Sequence, residues 1–199
     1  QYTQNQFNSS ISINPAYAGS QESASLSARF RKQWVSLSGA PTTFSLMGES
    51  RIYKDKIGAG LSINYDIIGI EKAFNIDGNL CYHLDIDNDK KLAFGTKFGS
   101  YFISSDYNNI TNITPGDPSY NGNSGYSIPF VGFGALFYTP NYYIGMTSPR
   151  MVSIESSSNR SKINSPHYYL YGGFKYDIDE NLQLRPAIMG KYQMQAPFV

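Results

Sequence analysis

From Ile57 to Asp66 the chain alternates without a break: Ile57, Ala59, Leu61, Ile63 and Tyr65 against Gly58, Gly60, Ser62, Asn64 and Asp66. Successive side chains of a strand point to opposite faces, so this segment carries one apolar face and one polar, glycine-bearing face. The same period of two runs through Ser23 to Arg31, where Ala24, Leu26, Ala28 and Phe30 oppose serines and arginines. It returns from Ala73 to Leu84, where Phe74, Ile76, Leu80, Tyr82 and Leu84 oppose Asn75, Asp77, Asn79, Cys81 and His83. From Leu92 to Ile103, Leu92, Phe94, Phe98 and Phe102 share a face with Thr96 and Ser100, opposite Gly95, Lys97 and Gly99. Weaker alternation predicts strands at 42–52, 129–138, 141–147, 167–177 and 182–192, nine in all. Helical periodicity is hard to find, so the chain folds by pairing strands.

Alternation does not say which face is wet; composition and length bear on that. Charged residues are 16% of the 199, against about 25% in soluble domains. Aromatics reach 15%, with 17 Tyr, 12 Phe and 1 Trp. No apolar run approaches the roughly 18–20 residues of a spanning helix. Several of the predicted strands instead run to 9–12 residues, matching the roughly 9–11 that cross a bilayer when tilted. A net charge of +1 lacks the basic stripe needed to replace phosphate counterions, so no nucleic acid is expected as partner. The lone Cys81 excludes an intrachain disulfide and a multi-thiolate metal site. The opening residues show neither a basic n-region nor an apolar h-region, so the chain reads as mature, its signal peptide removed before Gln1. The reading is all-β: an antiparallel up-and-down transmembrane β-barrel of residues 22–199, preceded by a periplasmic segment, 1–21.

Connection lengths give the orientation. Tyr53–Asp55, Asp85–Asp89, Thr139–Pro140 and Asp177–Asn181 are short, and all fall at one end of a meander. Ser104 to Pro129 and Ser148 to Pro166 are long and fall at the other. Outer-membrane barrels pair short periplasmic turns with long extracellular loops.

Several motifs carry a resemblance. Ser12-Ile13-Asn14-Pro15-Ala16-Tyr17-Ala18-Gly19-Ser20 is followed by Arg31-Lys32-Gln33-Trp34-Val35 and Gly39-Ala40-Pro41-Thr42-Thr43. Gly58–Ser62, Lys91–Gly95, Tyr143–Pro149, His167–Leu170 and Leu184–Ala187 continue the pattern over nearly the whole chain. Together they resemble the PorP/SprF family of the Bacteroidota type IX secretion system. The resemblance implies a non-enzymatic outer-membrane barrel, in contact with lipid, that assists secretion or surface attachment of a large adhesin. Its implied partners are that adhesin or its C-terminal domain, and other components of the secretion and gliding machinery. Family members are longer, and bacterial barrels have even strand numbers. Nine strands therefore read as part of a larger barrel whose C-terminal part is absent.

The chemistry-bearing groups give no catalytic constellation. Asp85-Ile86-Asp87-Asn88-Asp89 has calcium-loop spacing, but Lys90 and Thr96 stand where an EF-hand needs Gly and Glu. Gly58-x-Gly60 and Gly132-x-Gly134 open no helix; on strands, such glycines let a packed lumen or a neighbouring backbone come close. His83 and His167 lie on different strands with no adjacent motif. No metal, cofactor or catalytic residue is expected. Arg29, Arg31, Glu49, Asp77, Lys97 and Lys175, with Arg51, Asp66, Arg185 and Lys191, are the candidate lumen face, of mixed sign and suited to ion pairs. Tyr107, Tyr120 and Tyr126 are the candidate partner-contact residues of the longest loop, since Tyr gives contact area at low entropic cost. The alternatives are a general porin or hydrophobic-solute channel, and a soluble lipocalin-like binder with its apolar faces turned inward.

The loop parity is testable with single cysteines on intact cells. An impermeant thiol reagent is expected to label Asn121→Cys and spare Asn88→Cys; the reverse pattern would invert the orientation.

Overall fold

The computed structural model describes residues 10–21, 23–53, 56–106, 123–157, 160–163, 166–179 and 182–193. Twelve strands form among them: β1 Ser25–Lys32, β2 Thr42–Tyr53, β3 Ile57–Ile68, β4 Glu71–Asp87, β5 Lys90–Asp106, β6 Asn123–Tyr138, β7 Tyr142–Ser157, β8 Arg160–Ile163, β9 His167–Phe174, β10 Tyr176–Asp179, β11 Leu182–Leu184 and β12 Ala187–Gln193. The main sheet is antiparallel, in the order β1-β2-β3-β4-β5-β6-β7-β9-β12, with β8 folded back on β7 and β10-β11 a separate hairpin. Every neighbour on that path is the next strand in the chain or the next after a local hairpin, the up-and-down arrangement that the alternation predicts. Its two edges are β1 and β12.

The register turns the apolar face outward. Leu61 pairs with Gly78, and Ser62 beside it with Asp77. Leu61 and Phe98 are each 50% exposed, while Ser62 is 0% and Asn79 1%. Leu26, Phe30, Phe94, Phe133, Ile144, Met146 and Leu170 are exposed in the same way. This inverts a soluble sandwich, in which the polar face would be wet, and it opposes the lipocalin-like alternative. Phe74 and Phe102, paired across β4 and β5, bring their rings to 6.2 Å on this outer face.

Several strands outrun their predicted ends. β4 and β5 each hold 17 residues, and β6 and β7 each 16. Ser104 to Asp106, Asn123 to Pro129 and Ser148 to Ser157 are therefore strand, not loop. Past the apolar stretch both faces of a hairpin can be polar; the ladder is then held by backbone bonds that leave no period in the sequence. Tyr126 is thus corrected from loop to strand: it sits on β6 opposite Ile103. Tyr107 and Tyr120 lie outside the described residues.

The C-terminal end is more broken than predicted. The strand expected at 167–177 stops at Phe174, and that expected at 182–192 divides into β11 and β12 around Arg185-Pro186. Proline has no N–H for a ladder; the Pro186 carbonyl instead accepts from Phe174 N–H at 3.1 Å. At the other acidic turn, Lys91 and Lys90 stand 3.7 Å from Asp85 and Asp87, exposed pairs of small energetic weight.

The two faces of β3 should respond differently to substitution. Leu61→Arg, in mid-strand on the face expected to meet lipid, should cost roughly 2–4 kcal/mol. Ser62→Ala, whose buried hydroxyl has no partner, should be nearly neutral. Denaturant unfolding from vesicles measures both; equal losses would mean that neither face meets lipid.

Candidate functional site: a strap across the polar face

The inner face of the sheet is occupied by the chain's own N-terminal stretch. Pro15 bars Asn14 from helical backbone, and Asn14 is extended at φ −126°, ψ 116°. A single helical turn, Ser10–Ile13, ends before it, and a 3-10 turn, Pro15–Tyr17, begins after it. Asn14 Oδ1 caps that turn, accepting from Ala16 N–H at 2.8 Å. Asn14 Nδ2 donates to Ala135 O at 3.0 Å and to Tyr171 Oη at 2.8 Å. Asn14, Ala16 and Ala18 are fully buried.

This irregular backbone has carbonyls that no ladder satisfies; the sheet supplies a side-chain donor for each of five, and the single Thr147 hydroxyl hydrogen is shared between a sixth and Phe133 O, 3.0 Å away. Lys97 Nζ reaches Ser12 O at 3.0 Å, and Thr147 Oγ1 lies 3.2 Å from Ile13 O. Cys81 Sγ donates to Ala16 O at 3.2 Å, and His83 Nε2 to Ala18 O at 2.8 Å. Arg51 takes Gly19 O through Nε at 2.7 Å and Ser20 O through Nη2 at 3.4 Å. Ala18 O can only accept, so His83 carries its proton on Nε2. Its Nδ1 then accepts from Tyr138 Oη at 3.1 Å. One imidazole nitrogen and the lone thiol are thereby engaged in holding backbone, and the other nitrogen is engaged by the Tyr138 hydroxyl.

Glycines make the close approach possible. A Cβ on Gly58 would sit 1.9 Å from Ala18 O, and one on Gly60 2.0 Å from Ile11 Cδ1. On Gly95 it would meet Ala16 N at 2.4 Å, and on Gly134 Asn14 Oδ1 at 1.9 Å. The strap reaches from Tyr171 on β9 to Arg51 on β2. Laid flat, those strands would stand six spacings apart, about 29 Å. Six residues partly wound in a 3-10 turn do not cover that distance. The sheet therefore curls around the strap, and the polar face is concave. Tyr17 stacks on Tyr171 at 6.2 Å, and Tyr143 packs on Tyr171 at 6.3 Å.

The predicted lumen residues fall into three groups. Asp77 and Lys97 meet at 3.1 Å with side chains 3% and 4% exposed. Asp77 also accepts from Asn75 at 2.9 Å and Asn79 at 3.0 Å. Lys97 bridges this cluster to the strap. Glu49 accepts from Ser25 Oγ at 3.3 Å and from the Gly19 backbone; Arg29 and Arg31 share its face further along β1, opposite Ser45 and Thr43. Lys175 follows the end of β9, its ammonium 3.5 Å from Asp177. There the hydrogen bond from Gln183, at 2.5 Å, holds the Asp177 carboxyl below its usual range, and Lys175 adds to this. Arg185 follows β11 and donates to Gln183 Oε1.

The two histidines are not brought together. His83 lies toward the short-turn end, under the strap, while His167 pairs with Gln193 at the start of β9. Sequence reasoning placed Cys81, His83, Gly58, Gly60 and Gly134 on the polar face without their occupant. The available signal was the small residues Ala16, Ala18 and Gly19 around Tyr17, together with the strand glycines. It also missed Arg150, which stands 5.0 Å from the Tyr101 ring centre and 5.3 Å from that of Phe130.

A family model described as "Type IX secretion system membrane protein PorP/SprF" matches residues 1–199, the whole chain. No curated protein and no solved structure matches.

Cys81 reports on the strap, because Ala16 covers its thiol. The folded protein should resist a maleimide. Asn14→Ala removes a buried hydrogen-bonding side chain worth ~1–3 kcal/mol, so labelling of Cys81 should accelerate about 5- to 150-fold. Gly95→Ala should do the same by steric displacement. Gly190→Ala, whose Cβ would have nothing nearer than 3.8 Å, should label as slowly as the parent.

Proposed function

The chain belongs to the PorP/SprF family of type IX secretion system membrane proteins, and from that premise we propose that it is a non-enzymatic outer-membrane barrel that helps to export or retain a secreted adhesin. The observation that carries this reading is the strap. A face filled by the protein's own chain, with Lys97, Cys81, His83 and Arg51 committed to holding it, suits a component that holds a partner on its exposed ends. A general porin needs an open lumen, and Asn14, Tyr17 and Tyr171 stand where that lumen would be.

The projecting hairpins supply the docking surface. β5 and β6 run to 17 and 16 residues, against about 9–11 for a tilted crossing. The surplus extends them past the apolar band at the long-loop end, taken here as extracellular. Tyr126 lies on that extension, and Tyr107 and Tyr120 belong to the connection between the two strands. Aromatic anchors carry a large share of interface energy when a partner's pocket buries them, and a secreted protein's C-terminal domain is the partner proposed. Other secretion components are expected to bind as well.

Removing residues 107–122 and joining the strands by a short turn separates docking from folding. The variant should insert in the outer membrane and keep Cys81 shielded from maleimide, while surface display of the secreted partner is lost. Display at the parental level would move the docking site off the 107–122 connection, and Tyr126→Ala in the same variant would then test the strand extension that remains.

A further inference from the structure

We propose that the tip of the β1–β2 hairpin is a membrane-interface anchor, with Trp34, Val35 and Leu37 set into the lipid headgroup layer at the long-loop end and Lys32 against anionic headgroups. This rests on the membrane-inserted reading above and assigns a task to a segment that reading leaves unused.

The connection between β1 and β2 carries turn residues, Ser36, Ser38, Gly39 and Pro41, but it is not polar throughout. Turns favour Gly, Pro, Asn, Asp and Ser, yet three large apolar residues stand here, Trp34 63% exposed, Val35 72% and Leu37 60%. The segment is braced. Gln33 N–H donates to Pro41 O at 2.9 Å and Leu37 N–H to Trp34 O at 2.8 Å. Gly69 N–H, at the β3–β4 turn, donates to Gly39 O at 2.9 Å. Among the described residues, Trp34 alone apart from glycines has a positive φ, 45°. For a bulky side chain that backbone is strained, and strain of this kind persists where surroundings over-determine it, often at binding surfaces.

The occupant follows from what the tip continues. Leu26 and Phe30, 78% and 69% exposed, run along the outward face of β1. Lys32, the last residue of β1, keeps their parity, and the exposed Trp34 follows two residues on, in the bend that leads to the tip. An indole at the rim of an apolar wall, with a lysine beside it, matches the level where Trp is enriched and Lys stems snorkel toward phosphate. A protein partner would not require continuity with the apolar wall; lipid does.

Trp34 is the single tryptophan of the chain, so its fluorescence tests this directly. The protein is reconstituted in vesicles of phosphatidylcholine and phosphatidylglycerol, and the Trp34→Phe spectrum is subtracted. The expected emission is blue-shifted, shielded from acrylamide, and lost more to lipids brominated high on the acyl chain than to lipids brominated near its end. Leu61→Trp in the Trp34→Phe background is the second reporter, expected to be quenched most by the deep bromines. Quenching at Leu61→Trp with Trp34 open to acrylamide and untouched by bromolipid would overturn the anchor and leave the tip to a protein partner. No bromolipid quenching at Leu61→Trp would overturn the membrane-inserted reading, and the anchor with it.

Discussion

An irregular segment of backbone can be buried only where something satisfies its carbonyls, and the inner face of this sheet is organised by that need. Lys97, Thr147, Cys81, His83 and Arg51 each project a donor from a different strand position onto the strap. Each bond adds little net stability, on the order of 1 kcal/mol, but leaving a buried carbonyl unpaired costs about 1–3 kcal/mol. The donors and the strap are therefore specified together. The glycines follow from the same constraint, because the donors reach the strap only when its backbone lies against the strand backbone. The curl of the sheet follows as well, since one short segment touches β2 through β9.

The buried charge pair belongs to this system. Asp77 draws bonds from Asn75, Asn79 and Lys97, while Lys97 gives another to Ser12 O. A desolvated pair contributes little by itself, but the loss of one partner leaves an uncompensated charge. Asp77 thus influences the strap through Lys97 without touching it. The mixed signs of the inner face, legible from composition, are in the centre of the sheet a local neutralisation around one carboxylate.

Much of the sheet was legible in the sequence because Leu, Ile and Phe alternate there with Gly, Ser and Asn. β3, β4 and β5 follow the predicted faces residue by residue. The extensions of β6 and β7 were not legible: Ser, Asn and Gly read as loop when neither face needs apolar atoms. Pro186 was visible, yet its effect was not, because whether a proline ends a strand or sits at its edge depends on which neighbour it faces. The strap was half legible. Its small residues and the strand glycines both announced close approach. The pairing of Asn14 with Tyr171, however, is a meeting across 157 positions, and local patterns hold no record of such distances.

That separation bears on how the protein reaches its final state. The strap's bonds to β4 through β9 join positions 65 to 157 residues apart, so chain entropy opposes them until the intervening strands have paired. The segment nearest the start of the chain can settle only after β9 has formed its ladder. During assembly the polar groups beneath it are hydrated, and docking of the strap expels that water in a late step. A segment that precedes the strands in sequence is then fixed after them, and it locks a curvature that the strands alone leave free.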